Sequence, residues 1–246
     1  MALQQITLLH EKIKDYSVYP FHLPLINKMD SLRLHAPVTF FVGENGSGKS
    51  TLLEAIAYQS GFHTAGGSRQ NAYQVEAAES ALGDYIRLSW LPKLTEGFFL
   101  RAESFYQFAS HIDESEQDPC TQTFFANYGG KSLHHRSHGE SFLALFQHRF
   151  GRSRQPSIYL LDEPESALSP ARQLAFMRII HDLAPRSQFI IASHSPILMG
   201  YPGADIISFD GSSLERIDYR DTEHYQLTRR FLEKPDSLLS ELFGKE

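Results

Sequence analysis

Cysteine and long apolar runs are both scarce in this sequence of 246 residues. Cys120 is the single cysteine, which excludes an internal disulfide and indicates a reducing compartment. The longest apolar stretches fall well short of the roughly 20 residues that a membrane-spanning helix needs. Charged residues between positions 10 and 14 also interrupt the apolar segment that a signal peptide requires. We therefore predict a cytoplasmic protein that does not insert directly into a membrane.

An excess of positive charge is absent as well. The chain has 23 Lys and Arg against 29 Asp and Glu, which gives a formal net charge of −6. The net charge therefore does not support nucleic-acid binding, which stays possible only through a local patch. One small basic cluster fits either a solvated helix end or a contact for polyanions: His148, Arg149, Arg152 and Arg154.

The remaining composition is that of an ordinary globular protein. Hydrophobic residues make up 41% and charged residues 21%, which excludes a disordered chain and a long coiled coil. At roughly 150 residues per domain, the length allows one α/β domain with an insert. We therefore predict a single domain over residues 1–246.

A glycine-rich segment carries the first chemical signal. Residues 43–50 read GENGSGKS, after the β-rich run 38–42 and before a helix-like segment from Thr51. This order of strand, loop and helix is typical of a P-loop, whose glycines let backbone N–H groups turn toward phosphates at a helix N-terminus. In that role Lys49 reaches the β- and γ-phosphates, and the Ser50 hydroxyl ligates Mg²⁺.

Acidic residues end a second predicted strand. Residues 157–161 are apolar on both faces, as in a central parallel strand, and Asp162 and Glu163 follow. Carboxylates at this edge of an α/β sheet suit Mg²⁺ binding by Asp162 and activation of water by Glu163, although acidic residues also occur in ordinary turns. A neighbouring buried strand, residues 188–192, delivers His194, which is either a turn histidine or a contact for a γ-phosphate.

The rest of the second half predicts a regular alternation of elements. Ser169 and Pro170 fit the start of a helix that runs to about Ala184. Its core residues are predicted from their helical spacing as Leu174, Met177, Ile180 and Leu183. Later elements are a strand at 205–209, a hairpin turn at 210–211 into residues 214–217, and two terminal helices at 222–233 and 237–243.

The order of these motifs resembles the ATP-binding-cassette (ABC) type of P-loop ATPase. The whole chain looks similar to stand-alone bacterial ATPases grouped under the broad label AAA family. The resemblance implies Walker A at 43–50, the end of Walker B at 160–163 with Glu163 as catalytic glutamate, a D-loop at 166–168 and His194 as switch histidine. The implied Walker A contacts to nucleotide are Gly43, Glu44, Asn45, Gly46, Ser47, Gly48, Lys49, Ser50 and Thr51.

Residues 136–140 lie where the resemblance places a signature sequence. Ser137 and Gly139 match the Leu-Ser-Gly-Gly-Gln pattern, while Arg136 and His138 depart from it. The family resemblance implies that Ser137 and the adjacent N–H groups contact the γ-phosphate held by a second copy, giving a head-to-tail homodimer on ATP binding. The alternative is a capped amphipathic helix that binds no ligand.

The implied fold is α/β, with a mostly parallel central sheet flanked by helices. A smaller helical lobe at about 62–150 lies between Walker A and Walker B. The interval lacks the heptads of a coiled-coil arm and contains two loop-like segments, 64–71 and 113–118.

Three details stay open at the level of sequence. The aromatic residue that stacks on adenine is Tyr16, Tyr19 or Phe21, each of which also fits ordinary packing. The loop glutamine of transporter subunits is replaced by Glu103 or displaced to Gln107. A group of histidines near Cys120 does not match a zinc template: His111, His134, His135 and His138.

We therefore predict an ATPase that converts ATP and water to ADP and phosphate with Mg²⁺. Lys49, Glu163 and His194 are the catalytic residues, and Ser50 and Asp162 bind the metal. The ATP-bound dimer would switch an unknown protein partner. The alternatives are a nucleotide-sensing subunit of a defence or toxin-regulating pair and the ATP-binding subunit of a membrane transporter; a small-molecule kinase fits least well.

Overall fold

The computed structural model describes residues 2–62, 80–101, 142–143, 146–147 and 155–244. Several predictions lie outside these residues: the signature positions Ser137 and Gly139, both candidates for the loop glutamine (Glu103 and Gln107), the histidine group with Cys120, the basic cluster and the two loop-like segments.

A six-stranded sheet forms the centre of the described structure. Its strands are β3 (Val38–Val42), β5 (Gly97–Arg101), β6 (Ile158–Asp162), β7 (Gln188–Ala192), β8 (Asp205–Ser208) and β9 (Glu215–Arg216). Their order is β5-β6-β7-β3-β8-β9, and only β9 pairs antiparallel. The predicted mostly parallel sheet is confirmed, and so is the hairpin that leads into its last strand.

A second, smaller sheet contains three antiparallel strands. They are β1 (Leu3–Leu8), β2 (Ser31–Arg33) and β4 (Ile86–Trp90), in the order β2-β1-β4. The segment at about 62–150, which was predicted as a mostly helical lobe, therefore also contributes a strand to each sheet: β4 to the three-stranded sheet and β5 to the six-stranded sheet.

Helices cover the sheets and complete the core. The described α-helices are α1 (Pro24–Asn27), α2 (Lys49–Ser60), α3 (Pro170–Leu183), α4 (Pro196–Met199), α5 (Glu223–Glu233) and α6 (Pro235–Phe243). Successive side chains of a strand point to opposite faces, so β3 sends Phe41 into the core cluster that contains α2 and Phe40 into the cluster that contains α3.

One predicted core residue of α3 is wrong. Leu174 is 60% exposed, whereas Ile180 and Leu183 are buried as predicted and Met177 packs at the edge of the core. The buried stripe of α3 instead runs through Gln173, Phe176, Ile179, Ile180 and Leu183. Leu174 lies two positions before Phe176, about 200° away around the helix, and therefore faces outward.

The two C-terminal helices lie on the surface. Helix α5 begins after the cap residue Thr222, and α6 begins at Pro235, two residues earlier than predicted. Neither helix contains a buried residue, although together they expose six large apolar side chains: Leu227, Phe231, Leu232, Leu239, Leu242 and Phe243. Among the described residues, no helix combines the length and the apolar character needed to cross a membrane.

Candidate active site

Three strand ends bring the predicted site residues to one edge of the parallel sheet. The glycine-rich loop follows β3, Asp162 ends β6 and His194 follows β7, which lies between β6 and β3. The carboxyl ends of parallel strands form the usual ligand-binding edge of such a sheet. The structure therefore brings together the loop, the acidic pair and the histidine that the sequence singled out.

The loop backbone has conformations that glycine permits. Gly46 has φ +81°, and a Cβ atom placed there would meet nothing within 4 Å, so this part of the loop lines open space. At Gly43, with φ +141°, a Cβ would lie 2.7 Å from Oδ1 of Asp210. That oxygen accepts a hydrogen bond of 2.6 Å from the backbone N–H of Glu44, so a carboxylate from the β8–β9 turn supports the loop.

Lys49, the first residue of α2, is folded back onto the loop that precedes it. Its Nζ donates to the carbonyl oxygens of Gly43 at 2.6 Å and Glu44 at 2.8 Å, and the residue is only 4% exposed. Burial lowers the pKa of Lys49, and the nearby carboxylates, with Asp210 the strongest, oppose that shift. A buried ammonium group beside a helix N-terminus suits the binding of a phosphate group.

Ser50 and Asp162 form the oxygen-rich part of the site. The Ser50 hydroxyl donates to Asp162 Oδ1 at 3.0 Å. Burial raises the pKa of Asp162, while the Arg101 guanidinium and the Ser50 hydroxyl oppose that rise. A hydroxyl and a carboxylate are hard oxygen donors of the kind that Mg²⁺ prefers, so the chemistry of this pair fits that ion.

Arg101 is a site residue that the sequence analysis missed. It ends β5 directly beside Asp162, and its Nε donates to Asp162 Oδ2 at 3.2 Å. Its Nη2 forms an ion pair with Glu54 Oε1 on α2. Burial lowers the pKa of Arg101, but the carboxylates of Glu54 and Asp162 outweigh it and the net shift is upward. Its position at a strand end was the available signal.

Glu163 has an unusual backbone conformation. Its φ of 49° is the only positive value of a non-glycine residue among the described parts of the chain. The strain is held by a hydrogen bond of 2.9 Å from its N–H to the Ala192 carbonyl, and by the N–H and hydroxyl of Ser166, which both donate to its carbonyl. Residues held in this conformation concentrate at functional sites.

His194 lies between Glu163 and two partners that the sequence did not predict. Its Nε2 lies 3.7 Å from Glu163 Oε1, and its backbone N–H donates to Glu165 Oε1 at 2.5 Å. Its Nδ1 lies 2.9 Å from Nε2 of His224 on α5. Burial, followed by the charge of Lys49, lowers the pKa of His194, whereas burial raises the pKa of Glu165.

The three aromatic candidates for an adenine contact have different surroundings. The Tyr19 hydroxyl lies 2.7 Å from Thr51 Oγ1, and the Tyr19 side chain is 57% exposed. Phe21 is buried against Tyr85, and Tyr16 pairs with a histidine near the N-terminus. Only Tyr19 therefore combines contact with the start of α2 and an exposed ring.

Two protein-family models match the chain. One is described as "AAA domain" and matches residues 24–142. The other is described as "AAA domain, putative AbiEii toxin, Type IV TA system" and matches residues 136–200. Together the two matches contain the glycine-rich loop, the acidic pair and His194.

Individual proteins match the chain as well. The hemin import ATP-binding protein HmuV of Bartonella quintana is 25% identical to this chain over 175 residues. The match covers 65% of this chain and 66% of HmuV, so the chain spans just under two thirds of the length of that relative. The structure of cbiO1 from Clostridium perfringens, part of the ABC transporter complex cbiONQ, matches with a TM-score of 0.51 and 14% identity over 100% of both chains. The structure of an SMC head bound to the C-terminal winged-helix domain of ScpA matches with a TM-score of 0.50 and 14% identity. That match covers 88% of this chain and 97% of the SMC head chain.

Proposed function

We propose that the chain is a P-loop ATPase of the ABC type, which binds ATP with Mg²⁺ and hydrolyses it to ADP and phosphate. The observation that supports this most strongly is the hydrogen bond of 3.0 Å between Ser50 and Asp162, with the buried Lys49 beside them. Ser50 and Asp162 would hold Mg²⁺, which neutralises charge on the β- and γ-phosphates when bound. Tyr19 is the aromatic residue that we assign to adenine.

Hydrolysis requires water to attack the γ-phosphorus while the bond to the β-phosphate oxygen breaks. Glu163 would orient that water and accept its proton, and its held backbone fixes the direction from which it acts. Lys49 would stabilise the negative charge on the phosphate oxygens, and the loop N–H groups would cradle them. His194 would donate to a γ-phosphate oxygen from the next strand end.

We also propose that ATP joins two copies of the chain, with Ser137 and Gly139 of each copy completing the site of the other. The dimer would then separate after hydrolysis and switch a protein partner. The proposal of a protein partner has a parallel in two solved structures with the same fold, one part of a transporter complex and the other an SMC head bound to ScpA.

Phosphate release tests the chemistry. We expect wild-type protein to release phosphate from ATP with Mg²⁺, and to stop when EDTA removes the metal. Asp162→Asn should lower the rate at least about tenfold, the effect of losing one charged group at the metal. The control Asp182→Asn lies in an exposed ion pair on α3 and should match wild type. Equal rates for wild type and Asp162→Asn would exclude this site.

A second candidate is a nucleotide-sensing subunit of a toxin-regulating pair. The observation in its favour is the family model over residues 136–200, whose description names a toxin of type IV toxin–antitoxin systems. Slow hydrolysis that rises sharply with the product of a neighbouring gene would support it. The match to a hemin import ATP-binding protein instead favours a transporter subunit, which co-purification with a polytopic membrane protein would support.

A further inference from the structure

Two histidine rings from distant parts of the chain meet beside the candidate site. Nδ1 of His194 lies 2.9 Å from Nε2 of His224, and the ring centroids are 5.0 Å apart. At this distance one nitrogen must carry a proton and the other a lone pair, because two lone pairs or two protons would repel each other. The contact therefore links the tautomer of one ring to that of the other.

Helix α5 reaches the site because its first turn is tied to the segment that follows β7. The Tyr219 hydroxyl donates to the Pro196 carbonyl at 2.7 Å, and the buried Thr222 donates through Oγ1 to the Tyr219 carbonyl at 2.8 Å. Thr222 also caps α5 by accepting from the N–H of Tyr225. His224 is therefore held beside His194 by a chain of hydrogen bonds, and its position does not depend on the exposed remainder of α5.

The opposite nitrogen of His194 faces the catalytic glutamate. Nε2 is buried, makes no hydrogen bond among the described residues, and lies 3.7 Å from Glu163 Oε1. A lone pair there would face a carboxylate and, with ATP bound, the negative phosphate oxygens. A proton there would be attracted to both groups, so the surroundings favour the tautomer with hydrogen on Nε2. That tautomer requires Nδ1 to accept a hydrogen bond.

We propose that His224 is a positioning residue that donates a hydrogen bond from its Nε2 to Nδ1 of His194, and so keeps the His194 proton on Nε2, where it can form a hydrogen bond to the γ-phosphate. The inference rests on the proposed ATPase function for its catalytic consequence. In this assignment His224 contacts neither nucleotide nor metal. The first turn of α5 would affect the γ-phosphate only through the hydrogen bond from His224 to His194.

Paired substitutions at His224 test the proposal. His224→Leu removes the donor at similar volume, whereas His224→Gln retains an N–H group that can reach the same place. We expect His224→Leu to lower kcat about tenfold, the loss of one hydrogen bond to a reacting group, with KM for ATP unchanged. His224→Gln should recover most of the rate. The control is Thr228→Leu, an exposed residue one turn further along α5, which should match wild type.

The kinetic outcomes separate positioning from packing. Wild-type kcat in His224→Leu would overturn the proposal. Equal losses in the Leu and Gln variants would also overturn it, because the donor would then be irrelevant. A loss that appears in KM would assign His224 to binding instead.

A nucleotide-free measurement keeps this inference distinct from the ATPase proposal. Nitrogen-15 chemical shifts of the imidazole rings identify which nitrogen is protonated. We expect His194 to carry its proton on Nε2 in wild type, and to become a mixture of tautomers in His224→Leu. If wild type shows these nitrogen-15 shifts but does not hydrolyse ATP, the ATPase proposal fails and the positioning role of His224 stands. A proton on Nδ1 of His194 in wild type would refute the positioning role alone.

Discussion

Ser50 donates a hydrogen bond of 3.0 Å to Asp162 across a separation of 112 positions in the sequence. This bond joins the first turn of α2 to the end of β6, and Lys49 lies one residue before it. The glycine-rich loop and the acidic strand end are therefore two halves of one site.

Lys49→Ala should weaken ATP binding at least about tenfold, because the ammonium group is the buried positive charge next to the loop. Calorimetric titration of the nucleotide-free protein with ATP and Mg²⁺ measures the effect. Lys14→Ala, at an exposed position, is the control and should bind like wild type. Unchanged affinity in Lys49→Ala would remove the phosphate-binding role of this residue.

Glu163→Gln should slow hydrolysis about a hundredfold or more while ATP binding persists, since the residues that we propose bind nucleotide remain and the proposed proton acceptor is lost. Light scattering in ATP should then report a long-lived species of twice the 28.0 kDa chain mass. Glu96→Gln, at an exposed position, serves as the matched control. A variant that stays at the mass of one chain in ATP would count against the dimer.

Arg101→Gln should reduce the free energy of unfolding by about 2 kcal/mol in EDTA, because Glu54 and Asp162 would lose the guanidinium that lies between them. Mg²⁺ should restore stability in the variant more than in wild type, since the ion supplies positive charge near Asp162. Urea unfolding with and without Mg²⁺ measures both effects.

Arg178→Gln is the matched control for Arg101→Gln. It removes an exposed ion pair with Asp182 and should change stability by about 0.5 kcal/mol or less. If Arg101→Gln lowered the free energy of unfolding equally in EDTA and in Mg²⁺, the result would contradict the proposal that Mg²⁺ binds at the same carboxylate, Asp162, that the Arg101 guanidinium contacts.

Glu165→Gln should flatten the pH dependence of stability. Burial raises the pKa of Glu165 above its ordinary value of 4.5, so the folded protein holds this proton more tightly than the unfolded chain. The resulting stabilisation is fully present below 4.5 and is lost as pH rises through the folded-state pKa. Gln has no proton to lose, and wild type should therefore lose stability relative to the variant as pH rises.

Urea unfolding of both proteins from about pH 4 to about pH 8 measures that difference directly. The free energies of wild type and Glu165→Gln should diverge with rising pH. Curves that stay parallel over the whole range would mean that Glu165 has the same pKa in the folded and unfolded states.

The sequence was sufficient to predict the elements whose signal is local. The strand Val38–Val42, the loop after it and the helix from Lys49 follow each other directly, so their pattern predicts both structure and chemistry. The strand that ends at Asp162 and the strand before His194 are each apolar on both faces, which is typical of buried parallel strands. The carboxyl ends of parallel strands lie at one edge of a sheet, so both residues were expected there. The meeting of Ser50 and Asp162 was predictable for this reason.

The supporting contacts were not predictable in the same way. Arg101, Asp210 and His224 reach the site from elements 61, 166 and 30 positions away from their partners, and their residue types are common on any protein surface. The error at Leu174 has a different cause. Helical spacing predicted that a stripe exists, but several registers of the helix fit it, and burial of Phe176 and Ile179 selected another.

The end of β7 forms backbone hydrogen bonds with residues on both sides of it. The Ala192 carbonyl accepts from Glu163, and the next residue, Ser193, donates its N–H to the carbonyl of Phe41 in β3. The end of β7 is therefore bonded on one side to the backbone of Glu163 and on the other to the strand that leads into the glycine-rich loop. A substitution that displaced this strand end would be felt at once by Glu163, by His194 and by the strand before the loop, so the three would be expected to lose their arrangement together.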